Sequence, residues 1–287
     1  MMLRSFCTSL LLATTLCAAA QDAPALRARH EAMREALATS PFGRPLLLQS
    51  SAGSDTPQGD AYAVLPHPFA TVSAALQRAG HWCDLLVLQA NMKRCTSEGQ
   101  RLQLVVGRKV EQPVEDAFQL DFDFSVRAAQ PGYLQVQMAA AKGPMGTRDY
   151  RLVMEAVPLG SPQDGQTFVH MSYAYATGFA ARLATDAYLA TAGRNKVGFS
   201  ITGRDAGGKP VYVEGIRGIA ERNTMRYFLA IEAYLDALAL PPPQQAEGRL
   251  QRWFAATERY PRQLREMTLD EYLSMKRREL NLVRAQG

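Results

Sequence analysis

The sequence lacks the short motifs that identify a nucleotide-binding protein or a serine hydrolase. It contains no glycine-rich phosphate loop, no G-x-G-x-x-G dinucleotide pattern and no G-x-S-x-G sequence. It also lacks a basic stripe, because acidic residues are interspersed with the arginines and the formal net charge is only +5. We therefore expect no cofactor and no nucleic-acid partner, and no catalytic residue can be assigned.

Long hydrophobic runs are absent beyond the N-terminus. There, an apolar stretch at residues 10–17 follows Arg4 and precedes the small residues of CAAAQ, which is the pattern of a signal peptide. The stretch is shorter than the roughly 20 residues that a membrane span needs. Lipid attachment at Cys17 is disfavoured because the bulky Leu16 precedes it. We expect a signal peptide over residues 1–20 and a periplasmic or secreted protein.

Cysteine is scarce as well, since only Cys83 and Cys95 remain outside the expected signal peptide. Their C-x11-C spacing differs from the C-x-x-C of thioredoxin-like sites, which disfavours a catalytic redox role. A zinc site would need two further ligands, and no second pair accompanies the neighbouring His81. An even cysteine count in an exported protein favours a structural disulfide, with free thiols or a metal site as alternatives. We expect a Cys83–Cys95 disulfide and no metal.

The centre of the chain alternates between apolar and polar residues, as half-buried strands do. Short turns separate the four segments with this pattern, which are residues 118–126, 134–140, 150–156 and 167–175. This arrangement predicts an antiparallel meander with one solvent-exposed face.

The flanking segments predict a loop, a hairpin and several helices. Residues 49–60 are rich in serine, glycine, aspartate and proline, which favours a loop, and a strand is predicted at residues 61–65. A further hairpin is predicted around the turn at residues 203–210. Thr268 and Glu271 have the spacing of a capping box at the start of the last helix. The predicted helices cover residues 24–39, a segment after residue 67, residues 178–192, residues 219–240 and the tail from residue 244.

The order of strand, helix, meander and long C-terminal helix resembles the helix-grip fold. AYAVLPHPFATVSAAL…HWCDLL resembles the opening strand and helix of START-like domains, the polyketide-cyclase and lipid-transfer superfamily. GTRDYRLVMEAVPL…GQTFVHMSYAY resembles their central paired strands, and GIRGIAERNTMRY is similar to segments of exported, uncharacterised proteins of this type. The resemblance covers about residues 60–240 and departs from the family pattern at the helix predicted over residues 178–192 and in the tail.

The resemblance implies an α+β fold in which a curved antiparallel sheet wraps around a long C-terminal helix, with extra N- and C-terminal helices. The expected division is a signal peptide (1–20), an N-terminal helix and loop (21–58), a START-like domain (59–240) and a C-terminal helical extension (241–287).

The resemblance also implies that a hydrophobic or amphipathic small molecule binds between sheet and helix, where such folds leave an apolar pocket. Methionine adapts to irregular ligands, and three methionines share the predicted inward faces with aromatic residues. The candidate ligand-binding residues are Phe122, Phe124, Met138, Met154, Met171, Tyr173, Tyr175 and Arg226. The alternative is that these side chains simply fill the core.

Arg222 and Arg226 are spaced i,i+4 on the predicted long helix, where like charges repel unless an anion lies between them. A ligand carboxylate or phosphate, Glu221, or a carboxylate of the sheet could supply that anion. An internal network is favoured over ligand recognition.

His170 and Ser172 lie on the polar face of their predicted strand. Strand geometry separates their side chains by about 7 Å, which is too far to share a proton. No acidic partner is apparent from the sequence, so both residues are expected to be surface residues.

The tail combines aromatic residues such as Trp253 and Tyr272 with many arginines. It could contact an anionic membrane surface or a protein partner, but acidic residues dilute its charge and packing back on the domain is favoured.

Three functions follow from these observations. The first is a non-enzymatic, exported binding protein for a hydrophobic or lipid-like molecule. The alternatives are an enzyme of cyclase or hydrolase type on the same fold, or a structural protein of the envelope with a filled core.

Overall fold

The computed structural model describes residues 19–53, 56–160, 165–191 and 193–285. The predicted signal peptide lies almost wholly outside these residues and stays a prediction. Within the described part of the chain, no helix has both the length and the apolar character that crossing a bilayer requires.

One antiparallel sheet forms the centre of the protein. Its strands are β1 (Leu46–Ala52), β2 (Pro57–Leu65), β3 (Met92–Glu98), β4 (Arg101–Val106), β5 (Phe118–Gln130), β6 (Tyr133–Lys142), β7 (Thr147–Leu159) and β8 (Gln166–Thr177). They lie in the order β1-β2-β8-β7-β6-β5-β4-β3. Register shifts in β5 and β7 mark bulges, which bend a sheet. A separate hairpin consists of β9 (Ile201–Arg204) and β10 (Pro210–Tyr212).

Helices cover both faces of this sheet. The described helices are α1 (Ala19–Ala38), α2 (Phe69–Leu76), α3 (Ala79–Leu86), α4 (Phe179–Ala190), α5 (Gly215–Ala237), α6 (Pro242–Glu258), α7 (Pro261–Leu264) and α8 (Leu269–Ala285). Helices α2 and α3 connect β2 to β3, and α5 packs against β1, β2 and β8. The main core lies between the sheet and α5.

The order β2, α2–α3, β3 to β8 and α5 is the one that the resemblance implied. The fold is the helix-grip fold of START-like domains, and the predicted fold class is confirmed. Strand β1 adds an edge beside β2, while α1 and α6 to α8 are the extra terminal helices.

The prediction of a loop at residues 49–60 is wrong, because β1 and β2 form a hairpin in which Ser50 pairs with Gly59. The loop-like composition has a packing cause. A Cβ atom at Gly59 would collide with the hydroxyl of Thr224 on α5 and lie 3.1 Å from the carbonyl oxygen of Ala220. The close approach of α5 therefore demands glycine within this strand.

Neither β3 nor β4 is predicted by the sequence patterns above. In β3 the apolar period is interrupted by Lys93, which is nevertheless buried. Its amine donates to the carbonyl oxygen of Val110 at 2.8 Å and to Glu279 of α8 at 3.0 Å. Because distant residues satisfy this buried charge, the local sequence pattern does not predict the strand.

The outer face of the sheet is less exposed than the alternation predicts, because α1 covers part of it. A second apolar cluster fills this contact, and its buried members are Leu26, Leu37, Tyr62, Ala128, Tyr133, Val157 and Phe168.

The C-terminal helices pack back on the domain. The indole of Trp253 stacks on Tyr272 at a centroid distance of 5.2 Å and donates to the carbonyl oxygen of Arg226 at 3.2 Å. The Tyr272 hydroxyl donates to the carbonyl oxygen of Leu88 at 2.8 Å. Helices α6 and α8 are thereby joined to α5 and to the segment between α3 and β3.

The predicted capping box of α8 is confirmed, since the amide of Thr268 donates to Glu271 at 2.8 Å and the amide of Glu271 donates to the Thr268 hydroxyl at 3.4 Å. Pro242, which belongs to the proline run after α5, begins α6 at a position that suits proline.

The predicted disulfide between Cys83 and Cys95 is also present and connects α3 to β3. In the chain-entropy model, closing a loop of this length stabilises the fold by about 3 kcal/mol.

Candidate ligand-binding site

A cavity of about 330 Å³ lies between the sheet, α5 and the C-terminal helices. Its sheet wall is largely apolar, with Met92, Leu104, Val106, Leu120, Phe122, Met138 and Leu152, and it also includes Thr147 and three tyrosines of β7 and β8. The strand register explains this wall, because directly paired residues point to the same face. Leu104 pairs with Leu120, and Leu152 lies between Met138 and Tyr173. The volume falls at the lower end of the range of about 300–1,000 Å³ that is typical of small-molecule pockets.

The tail closes the cavity on the side away from the sheet. Helices α6 and α8 and the segment between them contribute mostly large apolar side chains, which are Trp253, Phe254, Leu264, Met267 and Tyr272. The C-terminal extension is therefore part of the site.

The structure places the eight predicted ligand-binding residues in two groups. Those that line the cavity are Phe122, Met138, Tyr173, Tyr175 and Arg226. Those that are buried in the main core and do not line it are Phe124, Met154 and Met171. Met154 and Met171 pair directly with each other on β7 and β8. All eight ligand-binding roles stay predictions.

Four of the lining residues are tyrosines that form a cluster. Tyr173 lies 5.1 Å from Tyr227 of α5, and Tyr150 stacks on Tyr175 at 5.5 Å, measured between ring centroids. Burial raises the pKa of Tyr175 to about 12, with a further contribution from Tyr150. Burial likewise raises the pKa of Tyr173 and Tyr227. All of these hydroxyls stay protonated at neutral pH, and that of Tyr150 donates its proton to Thr147 Oγ1 at 2.7 Å.

Two cations and one carboxylate meet beside the tyrosines. Arg226 Nη2 and Lys109 Nζ both donate to the same oxygen, Oε1 of Glu266, at 2.5 Å and 2.6 Å. Burial, followed by repulsion from Arg226, lowers the pKa of Lys109 to about 8, although Glu266 opposes this shift. Burial alone would raise the pKa of Glu266, but Lys109 and Arg226 outweigh it and hold that pKa below its usual value.

The anion predicted near Arg222 and Arg226 comes from the tail. Glu266 lies between α7 and α8, so it is neither Glu221 nor a residue of the sheet. Glu221 is buried elsewhere and accepts hydrogen bonds from the hydroxyl of Ser50 at 2.6 Å and from backbone amides after Val197. The favoured internal network thus exists, with a different carboxylate.

Lys109 and Glu266 are cavity residues that sequence reasoning missed. Lys109 follows β4 and Glu266 precedes α8, so 157 residues separate them. Neither belongs to a periodic segment or a motif, and no local signal could have found them.

The outer face of the sheet carries a charge cluster that also was not predicted. His170 Nε2 lies 2.8 Å from Asp60 Oδ1, and His170 Nδ1 lies 2.9 Å from Glu155 Oε2. The imidazole stacks on Tyr62 at 4.4 Å, and each charged side chain is less than one fifth exposed. The expectation that His170 is a surface residue without an acidic partner is wrong.

This cluster faces α1 and is separate from the residues that line the cavity. Burial alone would lower the pKa of His170, but the two carboxylates outweigh it and raise that pKa. In the part of the chain that the structure describes, no group of three or more histidine, cysteine, aspartate or glutamate side chains could hold a metal ion.

Comparisons with known proteins return structures but no sequence relatives. No protein-family model and no curated protein matches the chain. A conserved protein from Geobacillus kaustophilus is 12% identical, covers 62% of this chain and 95% of its own, and has a TM-score of 0.36. Norcoclaurine synthase from Thalictrum flavum, in complex with dopamine and hydroxybenzaldehyde, is 15% identical, with coverages of 52% and 88% and a TM-score of 0.34.

A third match is a conserved protein of unknown function from Enterococcus faecalis, which is 10% identical. It covers 73% of this chain and 91% of its own, with a TM-score of 0.33. At these TM-scores the likenesses carry no argument about ligand or activity. The assignment to the helix-grip fold depends on the chain's own strand order and helix placement.

Proposed function

We propose that this protein is an exported, non-enzymatic binding protein for a hydrophobic or lipid-like small molecule. The observation that supports the proposal is the cavity between the sheet and α5, whose lining combines an apolar sheet wall with Lys109, Arg226 and Glu266. Such a combination favours a ligand with an apolar body and a polar group. A cavity of this size favours binding over the structural role that a filled core would imply.

Export belongs to the same proposal. It is supported by the signal-peptide pattern of residues 1–20 and by the Cys83–Cys95 disulfide, because disulfides persist mainly in oxidising compartments. A contact of the C-terminal helices with a membrane or another protein stays a prediction.

Matched valine substitutions test the proposal. Val106 lines the cavity, whereas Val126 is 38% exposed and lies outside it. Val106→Phe should fill part of the cavity and weaken binding of the neutral fluorescent probe Nile red by about tenfold, with Val126→Phe binding like the wild type. Equal probe binding by both variants, or none by the wild type, would contradict the proposal.

An enzyme on the same fold is the second candidate, and Lys109 favours it. A lysine with a pKa of about 8 at the edge of an apolar cavity can accept a proton near neutral pH. Incubating the protein with a ligand recovered from it tests this alternative by mass spectrometry. Conversion that is lost in Lys109→Met would support an enzyme, and recovery of unchanged ligand would contradict it.

A further inference from the structure

Among the described residues, the charge cluster around Glu266 has more positive than negative charge. Glu266 interacts electrostatically with four cations, which are Lys109, Lys196, Arg222 and Arg226. Among the described residues, Glu266 is the carboxylate that these cations have in common. Nearby Arg265 adds no net charge, because Glu258 pairs with it. Of these cations, Lys109 and Arg226 line the cavity and Arg222 and Lys196 do not, so in the described part of the chain two lining cations share one carboxylate.

The hydrogen bonds show that the carboxylate is shared. Arg226 and Lys109 both donate to Oε1 of Glu266, so one oxygen serves two cations. Arg222 Nη1 donates to the carbonyl oxygen of Val197 at 3.2 Å, and Lys196 donates to a backbone carbonyl. Carbonyl oxygens satisfy donors but do not neutralise charge.

Burial makes the positive charge of Arg226 costly, because its side chain is only 8% exposed. The side chain of Lys109 is 36% exposed, so water screens its charge more strongly. Removing charges from water is unfavourable unless opposite charges compensate them. An additional anion at this position would therefore interact favourably with groups that are already in place.

Lys109 and Arg226 lie where two pockets meet. A second pocket of about 380 Å³ adjoins the cavity, and both are lined by Lys109, Tyr150 and Arg226. Arg222 lines only the second pocket, while the apolar wall with Leu104 lines only the first. A molecule that spans this junction would place a charged end beside the cations and an apolar end against the sheet.

We propose that the ligand is an anionic amphipath whose apolar body occupies the cavity and whose carboxylate or phosphate group binds Lys109 and Arg226. This inference rests on the proposed binding function and names the charge of the ligand.

Four probes that share the same apolar chain and differ in their head group test the inference. Isothermal titration calorimetry compares decanoate, decyl phosphate, decanol and decyltrimethylammonium, each below its critical micelle concentration. At least one anionic probe should bind about tenfold or more tightly than decanol, and the ammonium probe should bind most weakly. Comparing the two anionic probes shows whether the site prefers a carboxylate or a phosphate.

Variants that each remove one charge show which residues cause the preference for an anionic head group. Lys109→Gln and Arg226→Gln should each reduce the ratio of decanoate to decanol affinity by about tenfold and leave decanol binding nearly unchanged. Glu266→Gln should have the opposite effect and raise decanoate affinity, because it removes the competing carboxylate. The control is Lys209→Gln, at an exposed residue before β10, which should alter neither affinity.

The experiment distinguishes a wrong ligand charge from a wrong binding function. If decanol binds as tightly as decanoate and decyl phosphate, the inferred charge is wrong and the proposed binding function stands. If none of the four probes binds, the proposed function fails together with the inference. Since damage to the fold cannot raise affinity, a gain in Glu266→Gln supports the inference even if Arg226→Gln does not fold.

Discussion

At the scale of single residues, strand register decides which charged side chains meet. Glu155 pairs directly with His170, and Asp60 lies two residues from Tyr62, the partner of His170 on β2. Asp60 and His170 are 110 residues apart in the chain. The sequence marks His170 as outward-facing, but it does not reveal which residues of the neighbouring strands lie beside it.

The His170 cluster should make the stability of the protein depend on pH. Because the folded-state pKa of His170 is raised, its contribution is complete below about pH 6.5 and is lost as pH rises through the raised value. The pKa values of Asp60 and Glu155 are lowered by the hydrogen bonds and charge of His170, which outweigh burial. Their contribution is present above about pH 4.5 and is lost as pH falls through the lowered values.

His170→Gln should therefore lower the free energy of unfolding by about 1–3 kcal/mol near pH 6 and by progressively less as pH rises. Urea unfolding over a series of pH values measures this. His67→Gln is the control, because its partner Asp236 is 52% exposed and the exposed pair should contribute less than about 1 kcal/mol. A loss in His170→Gln that is the same at every pH would contradict the assigned role.

At the scale of elements, local patterns identify the strands whose burial follows their own alternation. Strands β5 to β8 were predictable in this way, because inward residues such as Leu120 and Met171 alternate with polar ones. The patterns do not reveal β1 and β3, since the requirements on their residues come from distant elements. Helix α5 demands Gly59 beside β1, and α8 neutralises Lys93 in β3.

Gly59→Ala tests the contact between α5 and the β1–β2 hairpin. The added methyl group would collide with Thr224, so we expect a loss of about 1–3 kcal/mol in the free energy of unfolding. Gly203→Ala in β9 is the matched control, because no atom lies within 4 Å of its added Cβ. Equal stability of the two variants in chemical denaturation would show that α5 does not pack this closely.

The disulfide between α3 and β3 should be a structural connection. Reduction of the wild type, or the Cys83→Ala and Cys95→Ala double substitution, should lower the free energy of unfolding by about 3 kcal/mol. Guanidinium unfolding with and without reductant measures the change. The double variant should no longer respond to reductant, and a wild type that alkylates on two thiols before reduction would refute the connection.

At the scale of the whole molecule, the site forms only when distant parts of the chain come together. The apolar wall comes from the meander, Arg226 from α5, Lys109 from the segment after β4, and Glu266 from the tail. The resemblance to START-like domains predicted a cavity in this place and five of its lining residues. It did not identify Lys109, which belongs to no periodic segment, or Glu266, which lies in the tail outside the region that the resemblance covers.

The most direct test of the account is native mass spectrometry of the protein purified from a periplasm, followed by solvent extraction. We predict a discrete excess mass that leaves with the organic phase and yields an anionic, amphipathic compound. A protein without excess mass, which also shows no thermal shift with a panel of lipids and fatty acids, would contradict the binding function.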